Sequence, residues 1–377
     1  PILAINTVRG QALHAVIQYG LWVAREVATT RDDKGNPPPD GAAVPELWPI
    51  LDGHLDTVRD PSLAIRSVYG QWFPWIHFLG RDWAVSRLDA IFPRDPDHAP
   101  WWTAAWIAYV MHSRPFDDVL PILRPTYEHA VKLMKADEEP LLFGDRPSER
   151  LGEHLAAYVW RGAISIDPVD LLLAEFWGKA DVSLRRHVLT YIGLSLHEWP
   201  PAATDPTLAP VVDRLKAFWA FALSQADQSE GGSELSEFAR WFASGQFDDD
   251  WAFDQLELAL QKTSLLNGAR LVAERLGEVV GAQPLRSVLI LDRLVQSDVE
   301  GWRILGWAEE AKKVIEKAME AKDAKTQAAC VALVNRLVAK GHMGFRELLD
   351  KNDNTHGGEE TRPGRTQIDR YRNFDGA

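Results

Sequence analysis

Apolar side chains recur at three- and four-residue steps along most of this chain, which is the period of an amphipathic helix. The first stripe is Leu13, Val16, Ile17, Leu21, Ala24 and Val27, entered through Asn6 or Thr7 as a cap. It stops at Asp32-Asp33-Lys34-Gly35-Asn36-Pro37-Pro38-Pro39, where consecutive prolines exclude a helix. Pro45 opens a second stripe that runs to about Arg59. Asp60-Pro61-Ser62 then supplies a cap and a first-turn proline for 63–79. The same spacing predicts helices over 82–91, 99–112, 116–134, 148–164, 168–178, 182–199, 206–226 and 234–243. It predicts six more over 249–263, 269–280, 284–296, 300–321, 324–340 and 344–349. No alternating β-branched run is bounded by a hairpin turn.

Each stripe is too wide to leave in water, and short connections make successive helices antiparallel neighbours. The expected fold is therefore all-α: a HEAT-like α-solenoid of antiparallel helical hairpins over residues 1–350. A degenerate repeat supports stacking. Asp60-Pro61-Ser62-Leu63-Ala64-Ile65-Arg66 and Asp181-Val182-Ser183-Leu184-Arg185-Arg186 share an Asp-x-Ser-Leu entry followed by Arg, with an echo at Asp323-Ala324-Lys325-Thr326-Gln327. The Asp is expected to cap the helix and the Arg to bond a neighbouring turn. Longer breaks fall at 29–44, 136–147 and 225–233, the last a candidate joint through Ser229-Glu230-Gly231-Gly232-Ser233. Residues 351–377 are polar, rich in Gly and Arg, and expected to form a flexible tail.

Composition narrows the function. Apolar residues make up 46% of 377, enough for a large core. A net charge of −13 repels phosphate backbones, so nucleic acid is a poor partner. Cys330 is the single cysteine, so the chain holds no internal disulfide or cysteine-rich zinc site, and a reducing cytoplasm is expected. No apolar run approaches a membrane span. Sixteen tryptophans suit core and helix-junction packing; a peptide or carbohydrate surface is the alternative. The densest patch is Trp101-Trp102-Thr103-Ala104-Ala105-Trp106, in which Trp101 lies off the buried face and is a candidate exposed anchor.

Catalytic motifs are missing. Gly357-Gly358 and Gly364-Arg365 have no strand before them and no lysine after them, so no phosphate loop is formed. His197-Glu198 runs at once into Trp199-Pro200-Pro201, which ends the helix a zinc motif would need. The best acidic cluster is Asp248, Asp249 and Asp250, beside Trp241 and Gly245. Its spacing fits no magnesium-diphosphate motif. It reads as a helix start, with Gly245 ending one helix and Asp248 or Asp249 capping the next. Asp82 with Trp83, Glu175 with Trp177 and Glu198 with Trp199 are pieces a carbohydrate-active helical toroid would use. His154 and Arg161 share a helical face and, with Arg186-His187, read as a buried polar network. Glu309, Lys312, Lys313 and Glu316 mark a solvated face opposite a buried stripe of Ile304, Trp307, Ala311, Val314 and Ala318.

Three stretches carry a resemblance. Asn6-Thr7-Val8-Arg9-Gly10-Gln11-Ala12, the run from Glu237 to Asp248, and Glu300-Gly301-Trp302 through Ala308 with Phe345-Arg346-Glu347-Leu348-Leu349 form its landmarks. Together they resemble the C-terminal helical, HEAT-like region of large bacterial multidomain NTPases of the anti-phage defence type. The resemblance spans residues 6–349 and implies a helical region attached to N-terminal effector or ATPase modules. A sequence that opens at Pro1-Ile2-Leu3-Ala4 fits a piece of such a protein. The function expected is a non-enzymatic scaffold or sensor, with no cofactor and no metal. Its partner would be protein, either upstream modules of the same polypeptide or another chain. Arg9, Trp101, Trp241, Asp248, Asp249 and Asp250 are its candidate interaction surface. A carbohydrate-active toroid and a HEAT-like nucleic-acid binder are the alternatives.

Overall fold

The computed structural model describes residues 2–30, 41–135, 146–201, 205–226, 232–263 and 266–349. Most of the three long breaks, including the candidate joint, and the tail lie outside the described residues. The described chain is all-α: it holds α-helices and short 3-10 turns, and no strand longer than a single bridge between Ile166 and Val169. None of these helices is long and apolar enough to cross a membrane. The chain divides into two compact units, Pro1–Asn267 and Gly268–Ala377.

Unit 1 contains α1 (Ile2–Ile5), α2 (Val8–Thr30), α3 (Leu47–Leu55), α4 (Leu63–Leu79), α5 (Arg81–Ser86), α6 (Leu88–Ile91) and α7 (Ala99–His112). It continues with α8 (Leu120–Leu133), α9 (Pro147–Arg161), α10 (Leu171–Lys179), α11 (Val182–Glu198), α12 (Ala209–Gln225), α13 (Phe238–Ala243) and α14 (Asp249–Lys262). Helices α2, α4, α7, α9 and α11 pack in that order as one layer, each against the next. Their registers rise together. His14 meets Trp72 and Gly20 meets Leu79; Gly70 meets Ala105 and Trp75 meets Phe116. Glu153 then meets His187, and Trp160 meets Tyr191. The layer is therefore parallel, as expected when each intervening helix returns the chain to the same end.

Backbone contact in this layer is closest at Gly70, where an added Cβ would lie 1.9 Å from the Ala105 carbonyl oxygen. Only glycine lets α4 and α7 approach so far. The entry signals behave as capping chemistry requires. Asp181 accepts from the Leu184 N–H at 2.7 Å, and Asp323 from the Thr326 N–H at 2.8 Å. At the first copy Ser62 is the cap instead, and Asp60 is buried beneath it. Arg66 follows the expectation for the arginine: its guanidinium, 1% exposed, donates to the Leu55 and Ala90 carbonyls.

Unit 2 contains α15 (Ala269–Val279), α16 (Pro284–Ser297), α17 (Ala308–Met319) and α18 (Ala324–Ala339). Here α16 packs on α18 and α15 on α17. Three expected helices come out differently. The stretch 82–91 breaks at Arg87, whose guanidinium is drawn to Asp52. The stretch 300–321 is a loop, a 3-10 turn (Arg303–Trp307) and α17, because the Asp298 carboxylate takes the Gly301 and Ile304 N–H groups. The last, 344–349, starts in the 3-10 turn Met343–Phe345 and is helical only at 347–349. The buried stripe of Ile304, Trp307, Ala311, Val314 and Ala318 is present in full.

Candidate recognition surface

The residues singled out from the sequence do not form one surface. Arg9 and Trp101 come to the same turn: Arg9 pairs with Asp60, and the half-exposed Trp101 donates its indole N–H to the Pro61 carbonyl at 3.3 Å. Trp241 is withdrawn from any surface, at 0% exposed. Its N–H donates to the Leu189 carbonyl at 2.9 Å and its ring stacks on Phe247. An indole with one apolar face and one satisfied N–H is core material.

Asp248 caps α14, accepting from the Trp251 N–H at 2.9 Å and from the Lys216 ammonium. Partial burial raises its pKa, but those donors outweigh burial and the net shift is downward. Asp249 and Asp250 follow in the first turn, beside the positive helix end. Gly245, at φ +67°, closes α13 as expected. No group of three acidic, histidine or cysteine side chains among the described residues is placed to hold a metal ion.

The polar network around His154 is internal. His154 Nε2 faces the Ser113 carbonyl at 3.0 Å, and a carbonyl only accepts, so that nitrogen carries the proton. Its Nδ1 then accepts from Tyr127 at 2.8 Å, and Tyr127 accepts from Tyr109 at 3.0 Å. Tyr158 donates to the Phe116 carbonyl at 3.3 Å. Burial lowers the His154 pKa to about 4, so the ring is neutral at pH 7. This closed relay locks α7, α8 and α9 together. The carbohydrate pieces are spread over α5, α10 and α11, and Trp177 is buried in the core at 2% exposed.

Unit 2 presents a surface that periodicity did not reveal. Val299, Trp302, Leu305 and Met343 are 86%, 71%, 62% and 57% exposed. Trp302 and Leu305 lie one 3-10 turn apart, a spacing that puts both side chains on one side. The backbone under them is tied down. Asp298, 6% exposed, accepts from Gly301 and Ile304, both at 3.1 Å. Gly301 sits at φ +77°, open to glycine and strained for other residues. Lys340 donates to the Asp298 carbonyl, and His342 donates to the Gly301 carbonyl at 2.9 Å, which brings Met343 to the same corner. Ile304, Trp307 and Phe345 anchor it from inside, each 3% exposed or less. Arg303 and Arg346 are exposed beside it, and neither meets a carboxylate among the described residues. The helical period misled here. Asp298 interrupts the expected helix, so Trp302 and Leu305 stand in solvent on a turn, outside the buried stripe from Ile304 to Ala318.

No family model matches this chain, and no curated protein or solved structure matches it.

Proposed function

We propose that this chain is a non-enzymatic helical region that recognises protein, serving as a scaffold or sensor in a larger bacterial polypeptide. The observation that carries the reading is the corner of Val299, Trp302, Leu305 and Met343 on a backbone held by buried Asp298. Large apolar groups held in water at a defined geometry are characteristic of recognition sites, and tryptophan is the commonest energetic anchor of protein interfaces. The flanking Arg303 and Arg346 favour a partner segment that is apolar at its centre and acidic at its edges. The anti-phage setting and the upstream NTPase module rest on the resemblance of the landmark sequences. An open reading frame continuing upstream of Pro1 into a nucleotide-binding domain supports that setting.

A photoreactive amino acid in place of Trp302, introduced in the native cell, tests the recognition reading. The expected result is a discrete protein adduct that a second change, Leu305→Ser, removes. The same group placed at Val8, which is more exposed than Trp302 at 89% and lies in unit 1, should give no such adduct. Absence of a protein adduct at Trp302, or adducts to nucleic acid alone, overturns the reading.

A further inference from the structure

A cleft of about 530 Å³ opens among α7, α8 and α9 in unit 1. That volume is in the range of pockets that enclose a small molecule. Trp102, Trp106 and Ile107 form one wall, with Leu133 and Leu151 opposite. The two indoles stack at 5.8 Å with their planes 13° apart. Trp106 is pinned edge-on by Tyr127 at 5.2 Å, and Trp102 by His129 at 4.8 Å. Tyr127 is in turn fixed by the His154 relay. The aromatic wall is thus preformed, and a ligand need not order it on binding.

Charge selects the ligand further. Lys135 is the single ionisable side chain among the lining residues, and it has no carboxylate partner among the described residues. In a chain of net charge −13, an ammonium at the cleft with no carboxylate partner among the described residues favours an anionic head group. Hydrogen-bonding groups in the lining are few: the Thr103 hydroxyl donates to the Ala99 carbonyl at 2.8 Å, and the buried Trp102 indole N–H is a donor without a partner among the described residues. A sugar, with a hydroxyl on most carbons, would lose its hydration there without replacement. We propose that the cleft binds a planar monoanionic aromatic amphiphile, its ring against Trp102 and Trp106 and its acid at Lys135.

Two fluorescent probes of similar shape test this on the full chain: 1-anilinonaphthalene-8-sulfonate, which is anionic, and N-phenyl-1-naphthylamine, which is neutral. The anionic probe should bind saturably at one site per chain. Lys135→Ala should weaken the anionic probe about tenfold, the size of one lost charge-assisted contact, and leave the neutral probe unchanged. Lys135→Arg should restore it. Thr103→Trp, at an exposed rim position, fills the mouth and should abolish binding of both probes. Trp302→Ser should leave both untouched, which separates this cleft from the unit 2 corner. Loss of both probes equally in Lys135→Ala, loss of neither, or unchanged binding in a folded Thr103→Trp variant overturns the proposal. If Thr103→Trp does not fold, the Lys135 pair alone decides.

Discussion

At the residue scale, the same amino acid plays unequal parts according to burial. Asp60 and Asp181 both stand at helix entries. Asp60 is 2% exposed and gathers Arg9, His54 and the Ser62 N–H, whereas Asp181 makes one capping bond. Asp181→Ala should cost about 1 kcal/mol, the usual value of a lost cap. Asp60→Ala should cost about 2 kcal/mol, because it strands a part-buried serine N–H and two basic groups that are themselves partly hydrated. Urea unfolding midpoints of the two variants measure the difference. Equal costs would mean that Asp60 is no more than a cap.

His154 makes a second residue-scale prediction. Its pKa falls from 6.5 in the unfolded chain to about 4 in the fold, mainly through burial. The unfolded state therefore binds a proton that the folded state refuses, and stability falls as pH drops from about 6.5 to about 4. A shift of that size corresponds to about 3 kcal/mol over the window. His154→Gln cannot titrate, so its stability curve should be flatter there by about one proton. Tyr109, Tyr127, Tyr158, Glu153, Arg150 and Arg161 surround the ring, and none of the tyrosines titrates in this range, their hydroxyls being pushed upward by burial. Parallel curves for the variant and the parent chain would show that His154 is protonated in the fold.

At the element scale, the parallel layer depends on close approach. The Gly70–Ala105 contact sets the spacing of α4 and α7, and a Cβ there would overlap backbone, which cannot rotate away. Gly70→Val should destabilise unit 1 by about 3 kcal/mol or more, at the upper end of overpacking. Gly178, where an added Cβ meets nothing within 4 Å, is the control, and Gly178→Ala should be neutral or slightly stabilising. Thermal unfolding of both variants checks the contrast. Which glycines are tight was not legible in the sequence, where Gly70 and Gly178 both sit inside helical stripes. Helix entries were legible, because a cap involves only residues within three positions of each other. The exceptions were entries governed from elsewhere. Asp298 reached forward to Gly301 and Ile304 and replaced the first turn of the expected helix with a loop.

At the scale of the whole molecule, the chain comprises two compact units meeting in sequence at Asn267 and Gly268. Unit 1 contains its own aromatic core, including Trp177, Trp219 and Trp241, each 2% exposed or less. A chain ending at Asn267 should therefore unfold cooperatively by itself, with a sharp near-ultraviolet circular dichroism transition. A broad transition would mean that unit 1 needs residues beyond Asn267. Sequence by itself determined the helical class, most helix positions, the Asp caps and the buried stripe from Ile304 to Ala318. Those features are local, written in a period or in a span of three or four residues. It could not say which apolar groups stay in water. Trp241 and Trp302 both fall within expected helices, 234–243 and 300–321, yet one is 0% and the other 71% exposed. Burial depends on what packs from distant sequence: Leu189 and Trp219 close over Trp241, and nothing among the described residues of unit 2 closes over Trp302. The cleft beside Trp102 and Trp106 follows the same logic, since its walls come from three helices and exist only once those helices are side by side.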